Sequence, residues 1–196
     1  MKMRIFVSRD AGAIAVGADD IVAALEQAAG KRGLPIEIIR TGSRGLYWLE
    51  PMVEVATVKG RVAYGPVNPA DVPSLFDAMA SNSPHPLRLG LTEEIPWLKR
   101  QTRLTFARCG VIDPRSVKDY RAHDGYKGLE RALTLTSDEI LADVMTSGLR
   151  GRGGAGFPTG IKWKTVAQAG ADPDFEIEIV AGADDALAEI ACTPGR

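Results

Sequence analysis

Cysteine and histidine are scarce in this sequence, with two of each in 196 residues. Cys109 and Cys192 are too few for a disulfide framework, and too few for an iron–sulfur cluster held by cysteine alone. His85 lies between two prolines and His123 in the run RAHDGY, and neither has a companion at metal-ligand spacing. Both are read as surface histidines, and no metal ligand is assigned. No apolar run approaches the roughly 20 residues needed to cross a bilayer, so no membrane insertion is expected. The opening MKMRIFVSRD has no signal-peptide apolar region, and a cytoplasmic location is expected. A formal net charge of −1 gives no overall attraction to nucleic acid.

A local absence is more informative. No acidic residue occurs from Val144 to Ala171, while Arg150, Arg152, Lys162 and Lys164 all fall inside that stretch. Such a positive island within a near-neutral chain points to a local anionic ligand rather than to a polyanion. The remaining composition is ordinary for a globular protein, with 45% hydrophobic and 25% charged residues.

The first 80 or so residues alternate between strand-like and helix-like segments. Met3 to Val7 is a short apolar strand. Asp19 or Asp20 caps a helix through IVAALEQAA, with Ile21, Ala24, Leu25 and Ala28 on one face, stopped at Gly30 and Gly33. IEIIR alternates as a strand, and MVEVATV and RVAYG, joined near Lys59–Gly60, form a hairpin. Asn68–Pro69 begins a helix with Val72, Leu75, Phe76 and Met79 at helical spacing. This order predicts an α/β fold with a thioredoxin-like domain over 1–82. The segment after its first strand, SRDAGAIAVG, lacks the Cys-x-x-Cys of a redox site, so a structural or interaction role is expected. Residues 81–100 are rich in Pro, Ser and Gly and read as a linker, within a linker and helical segment over 83–135. An Asp113–Pro114 helix start lies inside it. Glu93 and Glu94 are adjacent, so their side chains point apart, and they are read as a solvated helix start rather than a catalytic pair. Ser137 is expected to cap a helix ending at Gly148, which opens the third region, 136–196.

That helix runs into Ser147-GLRGRGGAGFPTGIKWK-Thr165, which holds six glycines between Gly148 and Gly160. Gly151-x-Gly153-x-x-Gly156 resembles a dinucleotide fingerprint, but such a fingerprint needs a strand before it and a helix at once after it. Here a helix precedes and Phe157–Pro158 follows. A Walker loop needs Gly-Lys-Ser/Thr, and this sequence has Gly160-Ile161-Lys162. The chemistry still suits phosphate. Glycines let a ligand lie against bare amides, Arg150 and Arg152 offer charge-assisted hydrogen bonds, and Lys162 is a point charge near the next helix start. Phe157 offers a ring for stacking.

The run from Ser147 to Trp163, with LTFARCGVIDPRSVKDYRAHDGYKGLERAL upstream, resembles the flavin-binding signature of NADH-oxidising flavoprotein subunits. These are the complex I flavoprotein subunit, the diaphorase subunit of NAD-reducing hydrogenase and the β subunit of NAD-dependent formate dehydrogenase. The cysteine-free thioredoxin-like region, with GSRGLYWLEPMVEV and LTEEIPWLKRQTRLTFAR, is most similar to the last of these. The resemblance implies a complex I flavoprotein-type FMN-binding domain beginning in 136–196. It implies that Gly151, Arg152, Gly153 and Lys162 hold FMN, and that Gly154, Ala155 and Phe157 lie on the nicotinamide-nucleotide side. It further implies hydride transfer between NAD(H) and FMN, electron transfer to iron–sulfur clusters, and partners in a molybdenum catalytic subunit and a small [2Fe–2S] subunit. No residue is assigned a catalytic role.

The resemblance fades after Gly170. FEIEIV is expected to be the family's next strand, but Ala183-Asp184-Asp185 only partly echoes the acidic segment that should face the flavin. The four cysteines of the family's [4Fe–4S] site do not occur in the sequence. A truncated or frame-disrupted member is therefore expected, with little diaphorase activity of its own. Two other classes stay open, a non-catalytic interaction module and a nucleotide-binding regulator without redox chemistry.

Overall fold

A computed structural model describes residues 2–169 and two further strands, Phe175–Val180 and Glu189–Pro194. The chain divides into two compact units, Met1–Tyr126 and Lys127–Arg196.

The first unit is built on a five-stranded sheet of order β2-β1-β3-β4-β5. Its strands are β1 (Met3–Ser8), β2 (Ile36–Thr41), β3 (Val53–Thr57), β4 (Gly60–Tyr64) and β5 (Arg88–Leu91). β1 and β2 are parallel, Met3 opposite Ile36, because α1 (Ala11–Ala15) and α2 (Ala18–Arg32) carry the chain across between them. β3 runs antiparallel to β1, and β3–β4 is a hairpin. With α3 (Val72–Ser81) after β4, this is a thioredoxin-like α/β arrangement, as the order of elements in the sequence implies.

Alternation along the strands sorts the two faces. Ile5, Val7, Val53, Val55, Val62 and Tyr64 point to one side, where they pack with Ile21, Leu25, Leu75 and Phe76 of α2 and α3. All four apolar positions expected on the second helix, Val72, Leu75, Phe76 and Met79, are buried there. The opposite face carries the row Phe6, Glu54 and Ala63, aligned by register.

Several boundaries differ from expectation. α2 starts one turn earlier, at a Gly17 cap with φ of 99°, so Asp19 and Asp20 sit in the first turn rather than at the cap. There they still face the positive helix end. The helix runs through Gly30 and stops only at Gly33, where φ is 62°. Stretch 81–100 is not a free linker. It supplies β5 to the sheet edge, then α4 (Pro96–Lys99), and buries Ile95 and Leu98 with Leu46, Met52 and Ala63. α5 (Val117–Ala122) is capped by Ser116, whose hydroxyl accepts from the Asp119 N–H, rather than started by Asp113.

A buried ionic network holds the sheet's second face. Arg44 donates to both carboxylate oxygens of Glu54, at 3.1 and 3.0 Å, and to Glu93 at 2.7 Å. Thr92 donates its hydroxyl to Glu54, and the Arg61 guanidinium lies 3.4 Å from the Phe6 ring centre. Arg61 also donates to the carbonyls of Gly110 and Val111, tying residues 110–111 to this face. Burial lowers the proton affinity of Arg44, but Glu54 and Glu93 together outweigh it and the net shift is upward. Gly110 fits only as glycine, since a Cβ would come within 2.3 Å of Arg44 Cδ and its φ is 76°.

The second unit contains α6 (Lys127–Ala132), α7 (Ser137–Thr146), α8 (Thr159–Gln168) and an antiparallel pair, β6 (Phe175–Val180) and β7 (Glu189–Pro194). The segment FEIEIV is thus a strand, as expected, while Ala183–Asp185 lie outside the described residues. α7 is capped by Thr136, not Ser137. Thr136 Oγ1 accepts from the Glu139 N–H, and Glu139 accepts from the Thr136 N–H, a reciprocal capping box.

Candidate functional site

The glycine-rich stretch is the connection between α7 and α8. α7 closes with Ser147, and Gly148 follows with φ of 63°, turning the chain as expected for a helix end. The chain then doubles back. Thr159 N–H donates to the Leu149 carbonyl and Gly151 N–H to the Phe157 carbonyl, both at 2.9 Å, with Arg150 and Pro158 bridged between them. This neck closes a loop over 151–157. Pro158 then caps α8, leading directly into the helix.

Arg150 and Arg152, alike in the sequence, have different environments. Arg150 Nε donates to the Gly156 carbonyl at 2.7 Å, bracing the loop from inside. The side chains of Arg152 and Lys162 have no hydrogen-bond or ion-pair partner among the described residues. Lys162 stands in the first turn of α8, and Phe157 at the neck is 54% exposed.

The glycines divide by physical cause. Gly148 and Gly156 have left-handed φ, 63° and 53°. Gly160 is needed for packing, because a Cβ there would come within 2.7 Å of Met145 Sδ and 2.8 Å of Met145 Cα. That contact sets how closely α7 approaches α8. Gly151, Gly153 and Gly154 have neither reason. None has a left-handed φ, a Cβ at Gly151 would make only ordinary contact, and at Gly153 and Gly154 it would meet open space. The N–H groups of Arg152, Gly153, Gly154 and Ala155 donate to nothing among the described residues. The loop therefore presents bare, exposed amides beside an unpaired arginine and the first turn of a ten-residue helix.

A phosphate group fits this donor set: neutral amides that tolerate close approach, one guanidinium and one ammonium. The structure thus places Gly151, Arg152, Gly153, Gly154, Ala155 and Phe157 on one loop, with Lys162 on the helix it leads into. Among the described residues, no group of three or more His, Cys, Asp or Glu is placed to hold a metal ion. No helix among them is long and apolar enough to cross a membrane. Sequence reasoning missed the structural role of Gly160, hidden inside a glycine run, and the Arg44–Glu54–Glu93 network, whose members carry no local pattern.

No family model matches the chain. It is 51% identical over 79 residues to the NADP-reducing hydrogenase subunit HndC of Solidesulfovibrio fructosivorans, covering 40% of this chain and 16% of that protein. It is 50% identical over 66 residues to a subunit of the NADH-quinone oxidoreductase of Streptomyces coelicolor, covering 34% and 14%. The corresponding NADH-quinone oxidoreductase subunit of Aquifex aeolicus is 45% identical over 76 residues, covering 38% and 18%. The chain thus spans less than a fifth of the length of these relatives, which are by name subunits of oxidoreductases. Among solved structures, a thioredoxin-like [2Fe–2S] ferredoxin of Aquifex aeolicus covers 45% of this chain and 97% of its own, at 20% identity and a TM-score of 0.39.

Proposed function

We propose that the α7–α8 loop binds the phosphate and ribityl chain of FMN, and that the chain acts in NAD(H) oxidation within a multi-subunit oxidoreductase. The observation that carries this is the set of three glycines, Gly151, Gly153 and Gly154, that the fold itself does not require. Flanking amides without partners, and the unpaired Arg152 and Lys162, supply what a dianionic phosphate needs. FMN, when bound, supplies hydride chemistry with a nicotinamide and single-electron transfer to iron–sulfur centres. In this reading Arg152 pairs with the phosphate through its guanidinium. Lys162 adds a second charge from the first turn of α8, where the helix end favours an anion. Gly154 and Ala155 leave the backbone low enough for a nucleotide to pass, and Phe157 offers its exposed face to a planar ring.

The resemblance read from the amino-terminal sequence supports a formate dehydrogenase-type complex, with a molybdenum catalytic subunit and a small [2Fe–2S] subunit as partners, in the cytoplasm. The named relatives belong instead to hydrogenase and NADH-quinone oxidoreductase, and these are the competing assignments. Within residues 127–169 only Gly160 is buried, so the exposed loop does not by itself surround a flavin ring. Little NADH-dependent dye reduction is accordingly expected of this chain alone.

Titration of FMN and riboflavin, followed by flavin fluorescence, tests the phosphate assignment. FMN is expected to bind about tenfold or more tightly than riboflavin, as loss of charge-assisted hydrogen bonds implies. The variant Arg152→Gln/Lys162→Gln is expected to abolish that preference. Equal affinities in the unaltered chain would overturn the assignment.

A further inference from the structure

The first unit carries an aromatic surface used neither by its core nor by the glycine loop. Tyr47 and Trp48, in the turn Tyr47–Leu49, are 66% and 59% exposed, and Trp97 of α4 is 53% exposed. Trp48 and Trp97 meet edge to face with ring centres 5.8 Å apart. Tyr47 also lines a cavity of about 570 Å³ shared with Arg103, Phe106 and Cys109. This cavity opens where Arg9 leaves β1 and Gly42 leaves β2. The crevice thus sits beyond the carboxyl ends of the parallel pair β1 and β2. Leu104 extends the same surface next to Phe106.

The charges around it are unequal. Glu94 is met by Lys99, Glu93 by Arg44 and Asp113 by Arg9, while Asp10 caps α1 through the Gly12 N–H. Arg103 donates only to the main-chain carbonyls of Arg44 and Cys109, and Arg100 has no acidic partner among the described residues. Exposed tryptophan, tyrosine and arginine together make the composition of an interface centre.

We propose that this face docks an extended acidic segment of a partner polypeptide, with an apolar side chain between Tyr47 and Phe106 and a carboxylate at Arg103. Single-stranded nucleic acid also stacks on aromatic rings, but it is held by a continuous cationic groove, and here the uncompensated cations are two. The inference rests on the first unit alone and does not depend on flavin binding.

Selection of phage-displayed random peptides against the full chain tests it, with Trp48→Ser/Trp97→Ser as counter-target. Both tryptophans are more than half exposed, and circular dichroism checks that the variant is folded. Peptides pairing Asp or Glu with an apolar residue are expected to enrich. A synthesised selected peptide is expected to bind the double variant about tenfold or more weakly, and to slow alkylation of Cys109, read by mass mapping. Arg100→Gln, which breaks no side-chain hydrogen bond or ion pair among the described residues, is expected to weaken binding at low salt and not at high salt. The proposal is overturned by enrichment without acidic residues, by equal binding to the double variant, by unchanged Cys109 alkylation, or by a single-stranded oligonucleotide that protects Cys109 better than the peptide.

Discussion

Glycines that look equivalent in the sequence perform different work, and the difference is measurable residue by residue. Gly160→Ala drives a Cβ into the Met145 backbone and side chain, and is expected to destabilise the α7–α8 pair by about 1–3 kcal/mol, read as a lowered urea midpoint. The compact run of glycines and cations was legible in the sequence, as was its failure as a dinucleotide fingerprint. Which glycines serve the fold was not legible, because that depends on how near another helix comes. Arg150 is similar: its sequence neighbours suggest an anion ligand, and only the closed neck shows its Nε bound to Gly156. Glu50 carries a titration that no pattern announces. Burial raises its pKa, partly offset by hydrogen bonds from the Met52 N–H and the Ser43 hydroxyl. The fold thus favours the protonated form, so the Glu50 contribution to stability is greatest at low pH. It falls as pH rises from the ordinary value of 4.5 through the raised one. Thermal melts across that window should show a shallower decline for Glu50→Gln than for the unaltered chain.

At the scale of elements, hydrophobic periodicity located four of the five strands of the sheet and both long helices of the first unit. Helix ends were less legible. Ser137 and Thr136 are both good cap residues, and the choice between them turns on which places Glu139 three positions on. Thr136→Ala is expected to cost about 1 kcal/mol of helix stability and to speed amide exchange in the first turn of α7. β5 was hidden because its four residues lie in a Pro- and Ser-rich stretch and pair only at the sheet edge. The network beneath it should be far more sensitive than any surface ion pair. Arg44→Met leaves Glu54 buried without its bidentate partner, and a loss of roughly 3–5 kcal/mol is expected in urea unfolding.

Across the whole molecule, the two units differ in what holds them. The first has a continuous apolar core between sheet and helices, whereas within residues 127–169 only Gly160 is buried. Hydrogen exchange should therefore be slowest in β1 and β3 and much faster in α7 and α8. The similarity to oxidoreductase subunits covers a minority of this chain and a small part of each relative. The proposed FMN site therefore rests on the loop itself, and on Gly153 serving a ligand rather than the fold. Thermal unfolding and FMN titration of Gly153→Ala, side by side with the unaltered chain, test this most directly. An unchanged melting temperature is expected, with FMN affinity reduced about tenfold or more because a backbone approach is blocked. Unchanged affinity, or a loss of affinity accompanied by an equal loss of stability, would contradict it.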